Sequence, residues 1–232
     1  MLRLEDLIID NGGFRVAATL QVPKGARVAV MGPSGAGKST LLGAVAGFHD
    51  TPRGRILWDG GDITALPPGK RPCAILFQDG NLFPHLSIAQ NVGLGIDPGL
   101  RLNADQRARV TRALARVGLG GLDDRKPAQL SGGQQSRAAL ARVLVQDKPL
   151  LLLDEPFAAL GPALKADMLE LVAELAAETG ATLMMVTHDP ADARRIADQV
   201  IVVEDGVAHP PTATAALLDH PPEGLRAYLG RD

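Results

Sequence analysis

A single cysteine, Cys73, stands among the 232 residues, so no disulfide can form within the chain. No basic-then-apolar leader precedes the first strand-like run, and this predicts a cytosolic protein. No apolar run comes near the roughly 20 residues that cross a bilayer, the run Leu150 to Leu153 being among the longest. A membrane role would have to go through a partner. Net charge is only -2, from 24 basic and 26 acidic side chains without a lysine or arginine block, so a nucleic-acid footprint is missing. There is no internal repeat and no low-complexity segment. Apolar residues, in contrast, make up 46% of the chain, enough for the core of one domain or of one domain with a lobe.

The first chemical signal is Gly32-Pro33-Ser34-Gly35-Ala36-Gly37-Lys38-Ser39, followed by Thr40. A triphosphate packs several negative charges into a small volume, and its site needs backbone N–H groups that converge on the oxygens. Glycines let the chain curl that closely. At the spacing G-x-x-x-x-G-K-[ST], Lys38 can reach the β- and γ-phosphates, Ser39 can offer its hydroxyl to Mg2+, and the following helix points its positive end at the anion. The flanks fit. Arg27 to Met31 is β-branched and apolar like a strand, and Thr40 to Gly47 reads as a small-residue helix closed by glycine.

Strand-like and helix-like runs alternate along the chain, as in an α/β protein. Leu2 to Glu5, Thr19 to Val22 and Arg55 to Trp58, the last closed by Asp59-Gly60, predict an antiparallel β lobe beside the phosphate loop. From Asp79 to Gly121 the chain turns Gly- and Pro-rich, then shows a helix opening at Asn103 with Val110, Leu114 and Val117 on one face and Gly118 at its end. That region is an inserted helical lobe. Parallel-sheet character returns at Leu150 to Leu153, then a helix from Pro162 to about Glu178, then the strand Thr182 to Val186. The expected organisation is one domain over 1–232, with an α/β core and β lobe in 1–78 and 146–232 and the helical lobe in 79–145. The tail from Ala208, with Pro210, Pro211, Pro221 and Pro222, is too short for a further domain.

The apolar strand 150–153 ends in Asp154-Glu155-Pro156. A carboxylate at the C-terminal edge of a strand in a doubly wound sheet sits beside the phosphate loop and can hold Mg2+ through water. Asp154 takes that place. Glu155, next to it, is then the natural base or water-positioning group. His188, just past a strand in Thr187-His188-Asp189, is placed to contact the γ-phosphate and orient water, although a lone histidine there is more often structural. Gln78, after Ala74 to Phe77, is similarly placed to sense Mg2+ or water.

The second signal is Leu130-Ser131-Gly132-Gly133-Gln134 ahead of an expected helix from Gln135 to Val145. It forms another anion-binding helix start. Two such sites on one chain make sense if this one closes over the γ-phosphate held by another subunit. The alternative is an ordinary serine cap with glycines for the turn, which accounts for Ser131 but not for the glycine pair and Gln134.

Together the phosphate loop at Gly32 to Thr40, Gln78, the signature at Leu130 to Gln134, the pair Asp154 and Glu155, and His188 resemble the ATP-binding cassette (ABC) family, in its order and over nearly the whole chain. The resemblance implies a P-loop NTPase of the ABC type, with a mostly parallel core sheet, an antiparallel β lobe and an inserted helical lobe. It implies ATP and Mg2+ as cofactors, and a head-to-tail homodimer with two ATP molecules between one subunit's phosphate loop and the other's signature. Ser39, Gln78 and Asp154 would face the metal, with Glu155 and His188 catalytic. The stretches Pro67 to Pro72, Leu76 to Leu86, Gln90 to Gly95 and Pro98 to Leu100 look like the ATP-binding subunits of bacterial thiamine importers. That likeness implies transmembrane permease subunits as partners, docked between Asn81 and Asn91. It also implies an external solute-binding protein, no nucleic acid, and a peripheral place on the cytoplasmic face of the bacterial inner membrane. Importers of an inorganic ion, a polyamine or a sugar are the nearest alternatives, and a soluble non-transport ABC ATPase or regulatory nucleotide-binding module the more distant ones. A soluble ABC ATPase of DNA or ribosomes would need a long coiled-coil insertion or two cassettes, and neither is in this sequence.

Three positions depart from the family pattern. Where an aromatic that stacks on adenine is common, near position 11, the chain has Asp10-Asn11-Gly12-Gly13-Phe14, so either Phe14 substitutes or stacking is lost. Ala158-Ala159-Leu160-Gly161 replaces Ser-x-Leu-Asp, and the aspartate absent at Gly161 normally ties the two subunits' sites together. Gln135-Ser136-Arg137 replaces Arg-Gln-Arg and removes one cation. None touches Lys38, Asp154 or Glu155, so hydrolysis is expected to survive.

Overall fold

Alternation of apolar and polar side chains over Leu2–Asn11 makes strand β1, with Leu2, Leu4, Leu7 and Ile9 buried. The step from Leu4 to Leu7 breaks a strict two-residue period. A register shift between these residues, with Asp6 at φ 45°, turns Leu7 back to the core. The computed structural model describes residues 1–78, 80–222 and 225–226. Asp79, where the helical lobe is expected to begin, and the end of the tail lie outside them.

β1 pairs antiparallel with β2 (Phe14–Val22) and with β4 (Asp50–Trp58), and β4 pairs with the short β5 (Gly61–Asp62). This is the expected β lobe. The core strands are β3 (Arg27–Met31), β6 (Cys73–Leu76), β7 (Leu150–Asp154), β8 (Thr182–Val186) and β9 (Gln199–Glu204), which run in the order β9-β3-β8-β7-β6 with every neighbouring pair parallel. All five residues of β8 are buried, as befits a strand covered on both faces.

The link between lobe and core leaves no pattern in the sequence. Asp205-Gly206, both at positive φ, turn the chain back into β10 (Val207–Ala208), which pairs antiparallel with β9 and parallel with β2. Among the described residues the β lobe and the parallel core are therefore one sheet of eleven strands, with β11 (Thr212–Ala213) also on β9. The tail finishes the core. After β11, helix α7 (Thr214–Asp219) buries Leu217 and Leu218, with Leu225 beyond it, in the larger apolar cluster.

Helix α1 (Lys38–Ala46) covers one face of the sheet, its Leu41, Leu42 and Val45 packing in one cluster with Val28, Val30 and Leu152. The other face carries α5 (Pro162–Thr179) and α6 (Pro190–Ile196), and its cluster runs on into the helical lobe of α2 (Ile88–Gly93), α3 (Ala104–Arg116) and α4 (Gly132–Leu144). Each lobe helix opens with the same device. Ser87 with Gln90, Asn103 with Gln106 and Ser131 with Gln134 form reciprocal caps in which the side chain of each partner bonds the backbone N–H of the other.

Candidate nucleotide site

The site gathers at the carboxyl ends of β3, β7 and β8, where an open α/β sheet offers a crevice. The phosphate loop leaves β3 at Met31 and enters α1 at Lys38. Gly32 sits at φ 146°, and a Cβ there would lie 2.0 Å from the Val203 carbonyl oxygen. Gly37, at φ 104°, is the N-cap of α1, and a Cβ there would lie 2.4 Å from Val16 Cγ2. Only glycine fits either position. α1 has no side-chain cap and no acidic residue in its first turn, so its leading N–H groups are left for an anion. Lys38 is buried and its Nζ donates to the carbonyls of Gly32 and Pro33, both at 2.8 Å. Burial pulls its pKa down, opposed by the charges of Glu155 and Asp154.

The far end of α1 is held by a second buried cation. Arg71 is 2% exposed and donates to the carbonyls of Ala44 and Val45 in α1 and of Thr64 and Leu66 after β5. A cation at a helix C-terminus answers the negative end of the dipole. Arg71 thereby ties the helix that carries the phosphate loop to the β lobe.

Across from α1, Ser39 Oγ donates to Asp154 Oδ1 at 2.9 Å. Burial raises the Asp154 pKa, Glu155 adds to the rise, and the bonds from Ser39 and the charge of Lys38 oppose it. A hydroxyl and a carboxylate are two hard oxygen donors, a set that suits Mg2+, which takes few protein ligands and shares the rest with phosphate and water. Among the described residues no group of three or more His, Cys, Asp and Glu forms a closed metal cage. Gln78 is exposed beyond the end of β6, and neither Ser39 nor Asp154 hydrogen-bonds to it.

Glu155 follows Asp154 with φ 44°, a left-handed conformation rare outside glycine. That turn separates the two carboxylates. His188 comes to Glu155 from the end of β8, its Nδ1 3.2 Å from Glu155 Oε2. The turn that carries His188 is braced by a network that sequence reasoning missed. Lys165 Nζ on α5 lies 2.7 Å from Asp189 Oδ2 and 2.8 Å from Asp192 Oδ1, and Thr187 Oγ1 donates to Asp192 Oδ2 at 2.9 Å. The signal for it was Asp192, an acidic residue in the first turn of a helix whose cap is Asp189.

The signature opens α4 three residues earlier than expected, with Ser131 as N-cap. Gln134 N donates to Ser131 Oγ at 3.3 Å and Ser131 N to Gln134 Oε1 at 3.0 Å. The cap therefore accounts for Gln134 as well as Ser131, contrary to the sequence reading, because a glutamine at the third helical position reaches back to the cap. Gly132 and Gly133 differ in their surroundings. A Cβ at Gly133 would lie 2.3 Å from Leu164 Cδ2, whereas Gly132 has open space around it. None of the hydrogen bonds of Ser131 to Gln134 goes to the phosphate loop. The residues after them turn inward. Gln135 Nε2 donates to Pro127 and Leu130, and Arg137 donates to Val117.

The other departures also have places. Asn11 Nδ2 donates to Thr40 Oγ1 at 3.4 Å, so that side chain is turned to α1. The Phe14 ring, 40% exposed, lies against the loop, since a Cβ at Gly37 would be 2.9 Å from its Cε1. Gly161, N-cap of α5, has φ -64° and no atom within 4 Å of a Cβ. Between the helical lobe and the core a groove of about 680 Å³ is lined by Gln78, Asn81, Leu82, Pro84, Gln135 and Leu160, among others. Phe48 and Phe77 are exposed, their rings edge to face at 5.7 Å, and Phe83 is exposed as well. Asn91, the far end of the expected docking segment, is fully buried and bonds Phe83, Leu86 and Ser87. It shapes that segment from beneath.

No helix among the described residues is long and apolar enough to cross a membrane. Residues 17–158 match the family model described as ABC transporter. The chain is 64% identical over 230 residues to a thiamine import ATP-binding protein, ThiQ, of Ruegeria sp. (strain TM1040), covering 99% of this chain and all of that one. It is 52% identical over 229 residues to the protein of the same name from Jannaschia sp. (strain CCS1), at 99% and 100% coverage. Among solved structures, the ATP-binding cassette MJ0796, a dimer in a post-hydrolysis state bound to ADP and Pi, superposes with a TM-score of 0.79 at 30% identity, covering 92% of this chain and 99% of that one. A family match over residues 17–158, together with relatives more than 50% identical over nearly the whole length of both chains, shows that the chain belongs to the ABC transporter family.

Proposed function

We propose that this chain is the ATP-hydrolysing subunit of a membrane importer of thiamine, working as a homodimer on permease subunits at the cytoplasmic face. The observation that carries the hydrolytic part is the convergence of Lys38, Ser39, Asp154, Glu155 and His188 around one helix start. The solute rests on the full-length likeness to thiamine import ATP-binding proteins, because no residue of this chain need touch the vitamin.

In this reading the N–H groups of the phosphate loop and the first turn of α1 cradle the phosphates of ATP, with the Lys38 ammonium at the β,γ bridge. Ser39 and Asp154 hold Mg2+, which when bound screens charge on the β- and γ-phosphates. Glu155 accepts a hydrogen bond from the attacking water and orients its lone pair to the γ-phosphorus. His188, against Glu155, faces the same phosphate and fixes where that water sits. Phe14 offers its exposed ring to the adenine. The signature of a second copy covers the γ-phosphate with the N–H groups of its Ser131-capped helix. The exposed Phe48, Phe77 and Phe83, the last within the segment Asn81 to Asn91, supply apolar surface for a short permease helix. An external solute-binding protein completes the import route.

Reconstitution tests the reading. With thiamine permease subunits in liposomes and the solute-binding protein supplied on the face opposite this chain, ATP turnover should rise and labelled thiamine should cross the membrane only with ATP present. Uptake of a polyamine, sugar or inorganic ion in its place would overturn the solute, and absence of any ATP turnover would overturn the whole assignment.

A further inference from the structure

The Lys165 network closes a ring around the catalytic pair. From Glu155 the chain runs through a short loop to Gly161, the cap of α5. Lys165 N donates to the Gly161 carbonyl at 2.9 Å, so the lysine stands in the first turn of α5. Its ammonium then bridges to Asp189 and Asp192. Asp189 N donates to Thr187 Oγ1 at 3.1 Å, Thr187 holds Asp192, and His188 between them returns to Glu155 at 3.2 Å. Beside the ring lies a small cleft of about 40 Å³, lined by Glu155, Phe157, Lys165, Thr187, His188 and Asp192 among others.

Two features separate this from an ordinary surface ion pair. The Lys165 side chain is 19% exposed and Asp192 12%, so the contact is largely withdrawn from water. One ammonium also serves two carboxylates from different positions of the His188 turn and α6, which fixes the turn in two directions rather than one. Neither carboxylate touches the phosphate loop in any hydrogen bond.

We propose that Lys165 is a positioning residue for hydrolysis: it clamps the Thr187-His188-Asp189 turn to the start of α5 and so sets the contact of His188 with Glu155. The proposal rests on the roles given above to Glu155 and His188, and its test separates the two.

The test combines one structure with one kinetic cycle. In a crystal structure of Lys165→Met, the 187–189 turn should be displaced and His188 Nδ1 should lie beyond hydrogen-bond reach of Glu155. In ATPase assays Lys165→Met should lower kcat at least tenfold with KM for ATP within about twofold, and Lys165→Arg should recover most of the loss. The same change placed in a His188→Ala background should cost no further kcat, since contacts that act through one residue are not additive. An equal loss of kcat in both backgrounds, or a turn that superposes on the wild type, overturns the proposal. Should His188→Ala alone leave turnover unchanged, the role given to His188 fails, and the displaced turn in the crystal still decides the clamp. Lys165→Gln, which keeps a donor, replaces Lys165→Met in both arms if the latter does not fold.

Discussion

Ser39 Oγ donates to Asp154 Oδ1 at 2.9 Å, across 115 positions of sequence, and this bond joins the phosphate loop to the strand end that carries Glu155. Both side chains would hold Mg2+ in the proposed mechanism, Asp154 through water. Asp154→Ala should therefore leave nucleotide affinity without Mg2+ nearly unchanged while abolishing the gain in affinity that Mg2+ gives. Titration of ATP with and without the metal checks this, and an undiminished Mg2+ effect would count against both ligands.

Phe14 lies over Gly37 with its ring open to solvent. If it stacks on adenine, Phe14→Ala should weaken ATP binding by about 1 to 3 kcal/mol, as stacking contacts do. Measured against a nucleotide triphosphate without a base, the same variant should show no loss. Equal affinities for ATP in the two proteins would mean that the ring does not stack.

Gly161 has room for a side chain and ordinary backbone angles, so Gly161→Asp should fold and, as a better cap for α5, lose no thermal stability. The restored carboxylate should raise the Hill coefficient for ATP. An unchanged Hill coefficient would show that the two sites communicate without it.

How much of this was legible beforehand depends on the range of the interaction. The phosphate loop, the strands 150–153 and 182–186 and the helix from Pro162 were readable because their patterns are local. The cap role of Gln134 was equally local but was passed over, although Ser87 with Gln90 and Asn103 with Gln106 repeat it in the same lobe. The fusion of β lobe and core through β10 depends on pairing between residues 17–18 and 207–208, which no periodicity reports. Lys165 and Arg71 have no local pattern that marks them, because their partners are carboxylates 24 and 27 positions on in one case and backbone carbonyls in the other, which side-chain spacing does not report.

Arg71 gives the clearest stability expectation. Arg71→Met leaves carbonyls of Ala44, Val45, Thr64 and Leu66 without their donor, and unfilled buried acceptors cost about 1 to 3 kcal/mol each where water cannot reach them. A loss of about 3 kcal/mol or more in urea unfolding is expected, and a loss below about 1 kcal/mol would show that water replaces the guanidinium.

Cys73 can report that unfolding. Burial pushes its thiol up to about 11, so the thiolate is scarce at neutral pH and the sulfur is also covered. Iodoacetamide at pH 7.5 should label the native protein far more slowly than the urea-unfolded chain. As the pH rises toward 11 the thiolate fraction and with it the labelling of native protein should rise, and rapid labelling at pH 7.5 would contradict the buried, protonated thiol.

The most direct measurement is the turnover of Glu155→Gln. Removing the carboxylate that orients water while keeping its size should leave ATP affinity within about threefold, lower ATP hydrolysis about 100-fold or more, and trap an ATP-bound dimer visible by size-exclusion chromatography. Hydrolysis at the wild-type rate in that variant, with ATP bound normally, would contradict the assignment of Glu155 and with it the proposed mechanism.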